Sequence, residues 1–127
     1  LTHDLDLLAG PRWTDLPLVP ATQRYVKRLQ DIADTDPGYV AHAYTRYLGD
    51  LSGGQIVRTM LQRHYDFQPE ELTFYSFTLK AKPFKDHYRQ LIDDLPFSLA
   101  EVAATLTEAS DAFDFNSALF DDLGARL

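Results

Sequence analysis

The chain has 127 residues, 45% of them apolar, which suits one packed domain and is too apolar for a disordered polymer. Twelve basic against nineteen acidic residues give a net charge of −7, which argues against general binding to nucleic acid or to anionic membranes. The absence of cysteine removes disulfides, thiolate metal sites and cysteine nucleophiles, and no apolar run approaches the roughly 20 residues of a membrane-spanning helix. The absence of cysteine fits the cytoplasm, which is the expected compartment, and no secretory leader is visible. The first residue is Leu1 and not methionine, and the sequence is expected to be part of a longer chain.

The pattern is helical nearly throughout, without repeats, low-complexity tracts or a linker, so a single all-α domain covering 1–127 is expected. Leu1–Ala9 is apolar-rich and stops at the breaker pair Gly10-Pro11. Pro17 and Pro20 punctuate the next stretch, and Tyr25, Val26, Leu29 and Ile32 predict a helix from about Ala21 to Ala33. Asp36 is placed to cap the following helix, with Pro37 at its first position. That helix is expected to continue, bent, to about His64. Residues 65–77 are left irregular, and Pro83 is expected to start a helix reaching about Asp94. Ser98 and Glu101 form a capping box, with Phe97 and Val102 as its hydrophobic staple, for a last helix running to about Leu123 with Gly124 at the C′ position. The stripe Val102, Leu106, Ala109, Phe113, Asn116, Phe120 is apolar except for Asn116.

The bent helix holds three glycines, Gly49, Gly53 and Gly54, within six residues. Each costs about 1 kcal/mol relative to alanine in a helix interior, so something should offset them. A projection at about 100° per residue puts Val40, Ala43, Tyr44, Tyr47 and Leu51 on one side as the core stripe. Gly49 and Gly53 fall on the opposite side with Thr45, Arg46, Ile56 and Met60. Glycines turned away from the core face either another helix backbone or a flat ligand; a helix that ends at Gly49 and restarts is a further possibility. Arg46 and Asp50, spaced i,i+4, also suit a surface ion pair. Downstream, Lys82, Lys85 and Arg89 form a basic stripe at i, i+3, i+7, which is either a solvated face or an anion site.

The run AHAYTRYLGDLSGGQ, residues 41–55, closely resembles the signature of the heme oxygenase family on the helix that covers the distal face of heme. The upstream run PATQRYVKRL and the downstream segments also resemble the family, beginning partway into its domain. The resemblance implies a heme oxygenase-like multi-helix domain, N-terminally incomplete, with a glycine-kinked distal helix. It implies that Gly49 and Gly53 bring backbone close to heme, that Asp50 organises a water network for proton delivery, and that Tyr44 and Arg46 belong to that network. Lys85 and Arg89, with Lys82 beside them, match positions that hold the heme propionates, and Phe113 and Asn116 match pocket residues. The implied reaction is oxidative cleavage of heme, as both cofactor and substrate, by O2 and electrons from an external reductase or ferredoxin, giving biliverdin, carbon monoxide and ferrous iron.

No residue matches the family's proximal histidine. His3, His42, His64 and His87 are each expected to be surface or core residues and not iron ligands, and that ligand is expected upstream. A chain lacking the proximal helix is expected to expose apolar surface and to associate. Two other readings compete: a non-catalytic heme-binding or scaffold protein of the same fold, and a helical adaptor without cofactor.

Overall fold

The computed structural model describes residues 1–126, and among them there is no strand. Six α-helices carry the chain: α1 Thr2–Ala9, α2 Pro20–Ile32, α3 Asp36–Ala43, α4 Gly49–Tyr65, α5 Ala81–Asp93 and α6 Leu99–Gly124. Short 3-10 turns at Trp13–Asp15, Pro69–Glu71 and Thr73–Tyr75 occupy connecting segments, two of them in the stretch expected to be irregular. None of the helices described is long and apolar enough to cross a membrane.

The chain divides into two compact units whose sequences interleave. One comprises Leu1–Leu16 and Leu48–Leu91; the other comprises Pro17–Tyr47 and the chain from Ile92 onward. In the first, α1 packs on the 3-10 turns, and the Thr73–Tyr75 turn packs on α4. Leu51 and Leu72 are buried there together with the carboxylate of Asp4. Asp4 accepts hydrogen bonds from the Thr73 hydroxyl and from the Phe74 backbone N–H at 2.8 Å. Burial opposes ionisation of Asp4, but those donors hold its pKa below the usual value. In the second unit, α6 packs against α3 and α2, around Ala21, Tyr25, Ala41, His42, Glu108 and Ala112.

Several helix boundaries differ from the sequence expectation for identifiable reasons. Thr35, in extended conformation, is the N-cap of α3 and Asp36 lies inside the first turn, where its charge complements the helix dipole without capping. α5 begins at Ala81, two residues before Pro83. Proline is tolerated there because first-turn N–H groups have no intrahelical acceptor. Gly124 is the last residue of α6 and Ala125 its C-cap, so no left-handed glycine ends that helix. The capping box of Ser98 and Glu101 forms as expected, with Ser98 Oγ accepting from the Glu101 N–H and the Glu101 carboxylate accepting from the Ser98 N–H.

The largest correction concerns the glycine-bearing helix. Between α3 and α4, Tyr44–Leu48 is π-helical, with i→i+5 hydrogen bonds that put more residues into each turn. Every position beyond it is rotated relative to a straight α projection. The buried residues of this stretch are Ala41, His42, Thr45, Leu48 and Leu51, and of the expected stripe Val40, Ala43, Tyr44, Tyr47 and Leu51 only Leu51 is among them. Tyr44 and Tyr47 stand 39% and 40% exposed, so Tyr44 is not a core residue.

Candidate functional site

The start of α4 presents Gly49, Asp50 and Gly53 on successive turns. A Cβ built at Gly49 or at Gly53 meets nothing within 4 Å, whereas one at Gly54 would run into the ring of Tyr75. The three glycines thus do two jobs. Gly54 makes room inside the protein, while Gly49 and Gly53 leave bare backbone toward open space. Nothing in internal packing requires glycine at those two positions, which is what close approach by an outside object demands. Asp50 between them is half-buried.

Three further residues lie on α5 of the same unit. Lys85 Nζ donates to Ser52 Oγ at 3.1 Å, which ties α5 to α4 beside Gly53. Lys82 and Arg89 both reach Asp86, at 2.9 and 3.5 Å. Those cations, the Lys82 hydrogen bond first, hold the Asp86 carboxyl below its usual pKa. Lys82 and Arg89 of the basic stripe are therefore paired with one carboxylate that the charge pattern did not single out, while Lys85 reaches across to α4.

The second unit holds a buried polar cluster. Arg28 and His42 both converge on Glu108: the guanidinium donates through Nε at 3.0 Å and through Nη2, and His42 Nε2 lies 2.9 Å from Oε1. A carboxylate only accepts, so His42 Nε2 donates to it, and Nδ1 shares a hydrogen bond of 2.9 Å with the Tyr25 hydroxyl. The hydrogen bond from Arg28 lowers the Glu108 pKa, burial opposes this, and His42 adds to it. Burial pushes the Tyr25 phenol up, while Arg46 and Asn116 pull it back. Tyr25 also stacks on Phe115, with centroids 5.1 Å apart and planes within 5°.

One turn beyond His42, Arg46 Nη1 donates to Asn116 Oδ1 at 2.7 Å, and Asn116 Nδ2 donates to the Ala112 carbonyl at 2.6 Å. Asn116, the polar exception in the α6 stripe, is thus supplied with both kinds of partner. Glu108, Ala112 and Asn116 are spaced i, i+4, i+8 along α6, so the two polar contacts share a face. Phe113 lies off that face and is 60% exposed, as are Leu106 at 68% and Phe120 at 75%. The large apolar residues of the stripe therefore face outward, and Glu108 belongs to the buried face. A projection centred on Thr105, Ala112, Phe115 and Leu119 would have located it.

His42 has both ring nitrogens engaged and is a core residue; His3, His64 and His87 are exposed. Among the described residues no group of three or more His, Cys, Asp or Glu could hold a metal ion.

These features define a class: an all-helical protein with a glycine-bearing helix start clear of neighbouring elements, cations on an adjoining helix, and a buried polar network. The heme oxygenase family model matches residues 1–122. Human heme oxygenase 1 is 43% identical over 97% of this chain, which covers 45% of the human protein. Heme oxygenase 1 of Synechocystis sp. PCC 6803 is 40% identical over 100% of this chain and 55% of its own length. A crystal structure of heme oxygenase-2 from Synechocystis sp. PCC 6803 in complex with heme and NO superimposes with a TM-score of 0.90 at 35% identity, over 96% of this chain and 53% of that one. The chain belongs to the heme oxygenase family, and it spans about half the length of the curated relatives it matches.

Proposed function

We propose that the protein to which this chain belongs is a heme oxygenase, cleaving heme with O2 and external electrons to biliverdin, carbon monoxide and ferrous iron. The observation that carries the reading is the pair Gly49 and Gly53, each with nothing beyond its own stretch of helix within 4 Å of where a side chain would begin, on either side of Asp50. Bound heme supplies the iron at which O2 is reduced and the porphyrin edge that is oxidised. The protein's residues orient that group, exclude competing chemistry and move protons.

Gly49 and Gly53 admit the flat ligand against the helix backbone. Asp50 anchors ordered water that passes protons to the reacting face, a task that needs an ionisable group near the reaction centre without binding it. Arg46 and Asn116 hold each other, and Arg46 and Tyr44 are assigned to the proton network on the family resemblance of residues 41–55. Lys85 and Arg89, with Lys82, take the propionate carboxylates and hold one rotational setting of the heme. Each such exposed contact is worth about 1 kcal/mol or less, so orientation gains more than affinity. Phe113 supplies apolar wall. Electrons come from a reductase or a ferredoxin.

In the full-length enzyme, Asp50→Ala is expected to bind heme as the parent does, judged by its absorption spectrum, and to lose ring cleavage by 100-fold or more, on the order of general acid–base effects. Undiminished biliverdin formation in that variant removes Asp50 from proton delivery. A parent protein that binds heme and never yields biliverdin favours a non-catalytic heme binder.

A further inference from the structure

Of the stretch Ser52-Gly53-Gly54-Gln55, the reading above uses only Gly53. Gly54 has a different environment. A Cβ on it would lie 2.4 Å from Tyr75 Cδ1, 3.1 Å from Cε1 and 3.4 Å from Cγ. These atoms include the root of the ring, which cannot swing aside like the tip of a flexible chain. The next residue reinforces the contact: Gln55 Nε2 donates to the Tyr75 carbonyl at 2.5 Å. Tyr75 is thus held to α4 by its ring and by its main chain.

The Thr73–Tyr75 turn is anchored from behind. Buried Asp4 on α1 accepts from the Thr73 hydroxyl and the Phe74 N–H, and Phe74 packs edge-on against Tyr75 with centroids 5.0 Å apart. A continuous set of contacts therefore runs from α1 through the turn to Gly54. Gly54 lies about 100° around the helix from Gly53, so the ring bears on α4 without occupying the bare face.

We propose that Tyr75 is a positioning residue whose ring, seated on Gly54, sets where the Gly49–Gly53 face of α4 stands against the heme, and so which porphyrin edge is cut. This rests on the heme-cleaving reading of the preceding section. An alanine at 54 needs ordinary contact, 3.4 Å or more, where 2.4 Å is present, so helix or ring must shift by about 3.4 − 2.4 = 1.0 Å. A misplacement of about 1 Å at a reacting centre can lower a rate by about 100-fold.

The test uses the full-length protein at matched heme loading and reads single-turnover cleavage and the ratio of biliverdin isomers. Gly54→Ala is expected to keep heme uptake, slow cleavage by about 10- to 100-fold and yield mixed isomers. Tyr75→Phe, which keeps the ring, is expected to keep the parental isomer ratio. Adding Tyr75→Leu to Gly54→Ala, so that a smaller, rotatable side chain meets the new methyl, brings rate and isomer ratio closer to the parent than either single variant. A merely stabilising contact would move the unfolding midpoint and leave the isomer ratio unchanged. Parental rate and isomers in Gly54→Ala, or a double variant at least as defective as both singles combined, overturn the positioning role alone. A parent that takes up no heme overturns the functional reading, and the positioning role with it.

Discussion

Glu108 shows how one side chain can fasten three helices. Its side chain is 8% exposed, and it joins Arg28 on α2 and His42 on α3 to α6. A buried carboxylate that loses its partners costs several kcal/mol, so the arrangement holds only while all three are present. Because Arg28 and His42 lower its folded-state pKa, the stability it contributes is complete above the unfolded glutamate value, about 4.3. It is lost as pH falls from there through the folded value. Glu108→Gln is therefore expected to lower stability at pH 7 by about 2–3 kcal/mol, on the scale of hydrogen bonds to a charged group. The acid-side loss due to this residue should disappear with it. Chemical denaturation of parent and variant at pH 7, 4 and 3 checks both statements; a constant difference across that range removes the pH-linked part. Sequence reasoning read His42 as a core or surface residue and went no further, because its acceptor lies 66 positions away on α6 and no local pattern joins the two.

At the scale of elements, α5 displays a basic stripe in an acidic protein, and that stripe was legible from spacing. What spacing did not reveal was Asp86, which takes Lys82 and Arg89 and leaves Lys85 to reach Ser52 on α4. Under the propionate assignment, replacing Lys85 and Arg89 together by alanine should leave heme affinity within about 10-fold, since two exposed contacts of 1 kcal/mol or less are removed, but should mix the biliverdin isomers. A single unchanged isomer, read by chromatography of the product, counts against that assignment. Elements with strong end signals were placed to within a residue or two: α2 by its proline entry, α6 by Ser98 and Glu101. Faces fared worse than boundaries. A straight projection could not anticipate the π turn at Tyr44–Leu48. The stripe through Leu106, Phe113 and Phe120 reads as core by composition, although those residues face outward. Hydrophobic periodicity reports which face wants cover, and cover need not come from the residues in hand.

For the molecule as a whole, that outward face and the second half of α4 have a common consequence. Leu99, Leu106, Phe113 and Phe120 on α6, and Ile56, Met60 and Tyr65 on α4, are all half or more exposed or nearly so, from 49% at Met60 to 90% at Leu99. Exposed apolar side chains on each unit favour association, while the net charge of −7 opposes it. The isolated 127-residue chain is expected to self-associate at micromolar concentration, and more so as salt screens the like charges. Sedimentation velocity at 0.05 and 0.5 M salt tests this; a monomer under both conditions means that the apolar faces find cover within the chain. The all-helical class and family were legible because the residues 41–55 signature is long and continuous. The paired use of its glycines was not, since only the built backbone distinguishes Gly53 in open space from Gly54 against a ring.

The interleaving of the two units bears on how the chain comes into being. Leu1–Leu16 waits for partners as late as Tyr75, and Tyr25 and His42 wait for Glu108. On a ribosome, Arg28 and His42 emerge long before the carboxylate that will join them. For that interval α2 and α3 carry a protonatable ring and a guanidinium with nothing to close around. Neither unit is a contiguous stretch of message, so neither can be completed early or cut out as a single length of chain. Synthesis must run past residue 108 before the second can close, and a stop codon between Lys85 and Glu108 would strand α2 and α3 without their clasp.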